Sequence, residues 1–147
     1  AVLAEMPGRQ VVPNVITYSA AISACEKCRQ PDEALALFEE MRGVNITPNV
    51  VTYGAVISAC EKGRDWRRAL AVLAEMPGRQ VVPNVITYSA AISACEKCRQ
   101  PDEALALFEE MRGVNITPNV VTYGAVISAC EKGRDWRRAL AVLAEMP

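Results

Sequence analysis

The sequence contains no histidine. That removes the side chain most often used as general base or metal ligand, and with it the Ser–His and Cys–His pairs of nucleophilic catalysis. Aromatic residues make up only 5% of the 147 residues, so a core must be assembled from many small aliphatic contacts. No apolar run approaches the roughly 20 residues that span a bilayer, and no transmembrane segment is expected. Neither sign of charge predominates: 16 basic side chains face 17 acidic ones, for a net charge of −1. Such a balance creates no global field to attract a polyanion. The opening Ala1-Val2-Leu3-Ala4-Glu5-Met6 reads as neither a signal nor a transit peptide.

What the chain has in abundance is repetition. Val15–Asn49 and Val50–Asn84 follow one 35-residue pattern, Val85–Asn119 copies the first letter for letter, and Val120–Pro147 copies the second until the chain stops. Residues 1–77 recur unchanged 70 places later. The opening residues equal Ala71–Met76, so residues 1–14 read as the remnant of a preceding motif and the whole as a window on a longer array. A fixed period of this length predicts a stacked array of supersecondary units instead of a closed globule.

Each unit reads as two helices. Asn14 suits an N-cap, and Tyr18, Ala21, Ile22 and Cys25 then fall at i, i+3, i+4 and i+7 to form one apolar stripe. Pro31-Asp32 suits the start of a second helix, with Ala34, Leu35, Leu37, Phe38 and Met41 on its apolar face and Gly43 as its expected end. The second unit keeps both stripes, with Tyr53, Val56, Ile57 and Cys60 followed by Ala69, Leu70, Val72, Leu73 and Met76. Asp65 is placed to cap its second helix, and Pro77-Gly78 to stop it. Two helices cannot bury two stripes alone, so each pair must lean on the next. The expected fold is all-α: a superhelical α-solenoid of stacked helix-turn-helix pairs forming one array over residues 1–147. Asp32 and Glu33 of the first unit correspond to Arg67 and Arg68 of the second, which predicts acidic and basic surfaces alternating along the second helices.

The period of 35, the T-Y-[SG]-A-x-I-S-A-C-E-K opening and the A-L-x-[LV]-[FL]-x-E-M run together resemble the pentatricopeptide repeat family in its P-type form. The resemblance implies a single-stranded RNA-binding groove lined by first helices, one base per motif, acting by occupying its site. It places base-reading residues at Ser19 with Asn49, Gly54 with Asn84, Ser89 with Asn119, and Gly124. It makes Ile16, Val51, Ile86 and Val121 the aliphatics packed between successive bases, and Lys27, Lys62, Lys97 and Lys132 the phosphate contacts. Serine with asparagine looks like the family's adenine combination, whereas glycine with asparagine departs from its common ones. An intracellular setting, mitochondrion or chloroplast, is also what the resemblance implies. Read without the family, the same residues are small groups at helix contacts, a common cap and a common solvated Glu–Lys pair.

Cys25-x-x-Cys28 and Cys95-x-x-Cys98 lie two motifs apart, too far to share a zinc ion, and Cys25, Cys60, Cys95 and Cys130 fall on the apolar stripe. Such cysteine usage suits a reducing compartment. The sequons at Asn45 and Asn115 matter only in a secreted protein. The zinc deaminase signature carried by some family members needs a histidine. No catalytic residue, metal or cofactor is therefore expected. A rival reading is a structural scaffold that self-assembles by stacking exposed array ends, without specific RNA. The perfect repeat suits that reading, and it suits equally a designed consensus or a recent duplication.

Overall fold

The computed structural model describes residues 14–147. The helix remnant and loop expected over residues 1–13 lie outside the described residues. Eight α-helices follow: α1 (Val15–Lys27), α2 (Pro31–Gly43), α3 (Val50–Lys62), α4 (Trp66–Glu75), α5 (Val85–Lys97), α6 (Pro101–Gly113), α7 (Val120–Lys132) and α8 (Trp136–Glu145). A 3-10 turn, Pro77–Arg79, follows α4.

Every odd-numbered helix starts the same way. The side chain of Asn14, Asn49, Asn84 or Asn119 accepts the amide of the threonine three residues on, and that threonine's hydroxyl accepts the asparagine's own amide. Two orphan donors are satisfied reciprocally, a cap whose loss typically costs about 1 kcal/mol. α2 and α6 begin at Pro31 and Pro101 with acids in the first turn, whereas α4 and α8 are capped by Asp65 and Asp135. The turn inside each pair is closed by an arginine in the left-handed region: Arg29, Arg64, Arg99 and Arg134 have φ of 55–58°. Gly43 was the expected stop of α2, but it is the last helical residue, and the left-handed position falls on Asn45 at φ 63°. Asparagine tolerates that region, so glycine is not required there.

α1, α3, α5 and α7 pack successively into one row; α2, α4 and α6 each pack on the odd-numbered helices before and after them, and α8 packs on α7. The expected stripes form the core: Tyr18, Ile22, Phe38, Met41, Tyr53, Ile57, Tyr88, Ile92, Phe108 and Met111 are almost completely buried, whereas in the last unit Ile127 is partly covered and Leu143 exposed. Leu35, Leu37 and Cys25 are only partly covered.

Junctions between units are not alike. From the first unit to the second, Phe38 meets Tyr53 edge to face at 5.2 Å, Arg42 bonds Glu75 at 3.2 Å, and Arg68 bonds Asp32 at 3.3 Å. From the third to the fourth, Phe108 meets Tyr123 at 5.4 Å, and Arg112–Glu145 and Arg138–Asp102 close at 2.9 Å. The intervening junction has Leu73 in place of Phe38 and Pro77 in place of Arg42. There Cys98 Sγ donates to the Arg64 carbonyl at 3.1 Å. The expected charge alternation thus pairs units in twos. Shape reinforces it. A Cβ at Gly63 would lie 2.5 Å from Pro31 Cγ, and one at Gly133 would lie 2.7 Å from Pro101 Cγ. The cysteine that copies Gly63 in the other variant could not follow a proline-bearing unit without displacement.

Within each pair a phenol ties the helices: Tyr18 to Glu40 at 2.8 Å, Tyr53 to Glu75 at 3.2 Å and Tyr88 to Glu110 at 2.7 Å. Burial first, then the Glu40 hydrogen bond and charge, raises the Tyr18 phenol to about 12; Tyr53 and Tyr88 are raised by burial and their own glutamates.

Two outcomes follow in urea unfolding. Gly63→Ala should destabilise the array by about 1–3 kcal/mol, the usual cost of overpacking, and adding Pro31→Ala should recover most of it; equal losses with and without Pro31 would refute the steric coupling. Below pH 10 the Tyr18 phenol is protonated folded and unfolded, so it contributes no pH dependence. Between about 10 and 12 only the unfolded chain releases the proton. Stability therefore falls with rising pH, by at most about 1.4 kcal/mol per pH unit from this group. Tyr18→Phe should flatten that limb.

Candidate nucleic-acid interface

The candidate residues sit on the odd-numbered helices because the capping asparagine sets where each helix begins. The aliphatic at the second helical position is pushed outward: Ile16, Val51, Ile86 and Val121 are 72, 65, 66 and 59% exposed. Covering one such side chain contributes about 1.5–3 kcal/mol, so a regularly spaced row of them is a set of unfilled contacts.

Between these aliphatics lie two shallow hollows. Ile16, Ser19, Ala20, Ser23, Asn49 and Val51 line one of about 340 Å³. Ile86, Ser89, Ala90, Ser93, Asn119 and Val121, with Ser58 and Glu61 from the preceding unit, line another of about 270 Å³. The structure therefore brings Ser19 together with Asn49 and Ser89 together with Asn119, each pair flanked by two successive aliphatics. Gly54 is buried and Gly124 exposed. Packing does not demand glycine at either. A Cβ on Gly54 would meet Thr87 Cγ2 at 3.8 Å, an ordinary contact, and one on Gly124 would meet nothing.

The two serines are nearly buried. Ser19 Oγ lies 2.7 Å from Thr52 Oγ1, and Ser89 Oγ 2.7 Å from Thr122 Oγ1. Those threonines are the capping threonines of the following helix, and they also donate to Asn49 Oδ1 and Asn119 Oδ1 at 3.0 and 2.9 Å. Where glycine replaces serine the hydroxyl turns elsewhere: Thr87 donates to the Asn84 main-chain carbonyl at 2.9 Å.

The lysines end each odd-numbered helix, eight residues and so about 12 Å along the axis from the serine or glycine. Three are not free cations. Lys62 pairs with Glu26, Lys97 with Glu61 and Lys132 with Glu96, each across a junction. Lys27 is exposed. A part-exposed ion pair contributes about 0–1 kcal/mol, so a phosphate can compete for the lysine, but the free surface offers little attraction at a distance.

Sequence reasoning missed three groups. Ser23 and Ser93 line the hollows because they lie four residues past Ser19 and Ser89, one turn along the same face. Thr52 and Thr122 could be read only as caps, and the 36-residue Glu–Lys offset carries no local signal. Burial pushes the Cys60 thiol to about 11 and Cys95 to about 12, with the nearby Asp65 and Glu103 charges adding to it, which makes them inert packing residues. Among the described residues no three histidine, cysteine or acidic side chains gather where they could hold a metal ion.

Comparison with known proteins points the same way. The PPR repeat family matches residues 13–62, the pentatricopeptide repeat domain matches 71–133 and 106–147, and the single PPR repeat matches 51–81. No curated protein matches the chain. Among solved structures, the pentatricopeptide repeat protein PPR10, in complex with an 18-nt psaJ RNA element, superposes with a TM-score of 0.83 at 32% identity. That match covers 98% of this chain and 22% of PPR10, so the chain spans less than a quarter of its length. A second structure, of PPR10 from maize, gives a TM-score of 0.75 at 31% identity, over 98% of this chain and 20% of that one. The PPR domain of the Arabidopsis thaliana protein-only RNase P 1, in complex with tRNA, gives 0.76 at 22% identity, over 86% and 67% of the two chains. That likeness bears on the fold alone.

Proposed function

We infer the function of this chain from two facts: it belongs to the pentatricopeptide repeat family, and it repeats one polar hollow between exposed aliphatics. It is a modular single-stranded RNA-binding protein that takes one base per motif and acts by occupying its site. The observation that carries this reading is the pair of hollows, where Ser19 with Asn49 and Ser89 with Asn119 lie between aliphatics able to sandwich a flat ring. The RNA held by PPR10, a far longer array, supports it. Adenine is the preferred base there: an asparagine amide matches a purine donor–acceptor edge, and a small serine leaves room for the larger ring. Gly54 and Gly124 each cost about 1 kcal/mol of helix propensity relative to alanine with no packing reason. Glycine presents no side-chain polar group at that position, so base choice at the second and fourth motifs is weaker. The lysines reach phosphates by exchanging their glutamates.

A second reading, end-to-end assembly of copies, rests on α8. Trp136, Leu140 and Leu143 are 64, 55 and 54% exposed, whereas of their copies Leu73 is buried and Trp66 and Leu70 are partly covered, in the helix that packs on the third motif, which repeats the first.

Titration of labelled oligo(A), oligo(U) and oligo(C) by fluorescence anisotropy, with particle mass measured in parallel, separates these readings. Oligo(A) should bind best, and Ser19→Asn with Ser89→Asn should remove that preference. Absence of binding at low salt, or indifference to base, defeats the adenine reading, and large particles without RNA favour assembly. Changing Glu26, Glu61 and Glu96 to glutamine should strengthen binding and steepen the salt dependence towards a log–log slope of about −3, the value for four phosphate contacts on a single strand. An unchanged slope would remove the lysines from the interface.

A further inference from the structure

We propose that Thr52 and Thr122 are positioning residues for base choice: each fixes the hydroxyl direction of the serine in the preceding motif, so that one hollow's specificity is written across two motifs. This rests on the RNA-binding reading above and adds residues that it does not contain.

The argument follows the hydrogens. Thr52 Oγ1 accepts the Asn49 amide at 3.2 Å and donates to Asn49 Oδ1 at 3.0 Å. Its single proton is thereby used. Ser19, 2.7 Å away, must then be the donor in the Ser19–Thr52 bond. Ser89, Thr122 and Asn119 repeat the chain, with bonds of 2.7, 3.2 and 2.9 Å. A serine whose proton is held inward offers only lone pairs to the hollow. Asn49 Oδ1 is likewise occupied, by the Thr52 amide at 3.0 Å and the Thr52 hydroxyl, which leaves the asparagine presenting its Nδ2 donors. The hollow therefore offers an acceptor beside a donor. Adenine answers that pair with its amino group and N1, and cytosine with its amino group and N3. Guanine presents the reverse, an N1 donor beside the O6 acceptor, and is rejected. A serine free to rotate would accept or donate as required and would discriminate less.

Glycine-bearing motifs supply the internal control. Thr87 follows Gly54, has no serine to orient, and donates to the Asn84 carbonyl instead. Thr52 and Thr87 both cap their helices and are both fully buried, so their replacement should perturb stability alike. Only Thr52 and Thr122 should move base preference.

Serine-bearing and glycine-bearing motifs alternate, so RNA with a two-nucleotide period reports on the serine hollows in either strand direction. Alternating (AU), (GU) and (CU) oligonucleotides would be titrated against the full chain. The original protein should favour (AU) over (GU) by about tenfold or more. Thr52→Val with Thr122→Val should reduce that ratio to within about threefold, and Thr52→Ser with Thr122→Ser, which keeps the hydroxyl, should restore it. Thr87→Val should leave it unchanged. Circular dichroism would confirm that each variant is folded; were the double valine variant unfolded, the Thr→Ser and Thr→Ala forms of Thr122 alone give the same contrast in one hollow. An unaltered (AU)/(GU) ratio in folded valine or alanine variants overturns the positioning role while leaving RNA binding intact. Failure of the original protein to bind any of the three overturns the RNA-binding reading itself.

Discussion

A helix pair with two apolar faces cannot bury both by itself, and that deficit organises the molecule. Each pair becomes stable only by leaning on its neighbour, which makes stability a sum over junctions and leaves the odd-numbered helices in a continuous row. The row is what sets successive hollows side by side. The site is a by-product of stacking: each hollow takes its serine from one unit and an aliphatic from the next, so no single pair contains it.

The junctions differ in strength and shape, and the difference follows from small substitutions. Phenylalanine against tyrosine adds about 0.5–1.5 kcal/mol beyond area, and a proline-bearing unit leaves no room for a Cβ at Gly63 or Gly133 of the unit that follows it. The structural unit is therefore 70 residues, the same length as the perfect repeat. Serine falls in the first half of that unit and glycine in the second, so the polar chemistry of the hollows has the same two-motif period as the packing.

The interface is electrostatically quiet. Three of its four lysines are neutralised by glutamates from the neighbouring unit, and the chain as a whole carries a net charge of −1. On the RNA-binding reading proposed above, affinity would depend on short-range contacts: flat rings against the exposed Ile16 and Val51, and hydrogen bonds at the hollow floor. Long-range steering contributes little, and phosphate contact requires an exchange of ion-pair partners instead of the filling of a vacant one.

Much was legible in the residues alone. The 35-residue period, the 3.6-residue stripes and the asparagine caps determine helix pairs and their stacking, because periodicity and capping are local properties. The resemblance that these residues carry was enough to pair Ser19 with Asn49. Other features belong to the tertiary structure. Lys62 meets Glu26, Thr52 meets Ser19 and Gly63 meets Pro31 only when one unit is laid on another, at offsets no local rule encodes. Sequence by itself determined which groups are available; stacking decided which lysines are neutralised, which left-handed corners fall on arginine and asparagine, and which way each buried hydroxyl points. Hydrogen-bond direction is a property of the neighbours, and the neighbours are set by the fold.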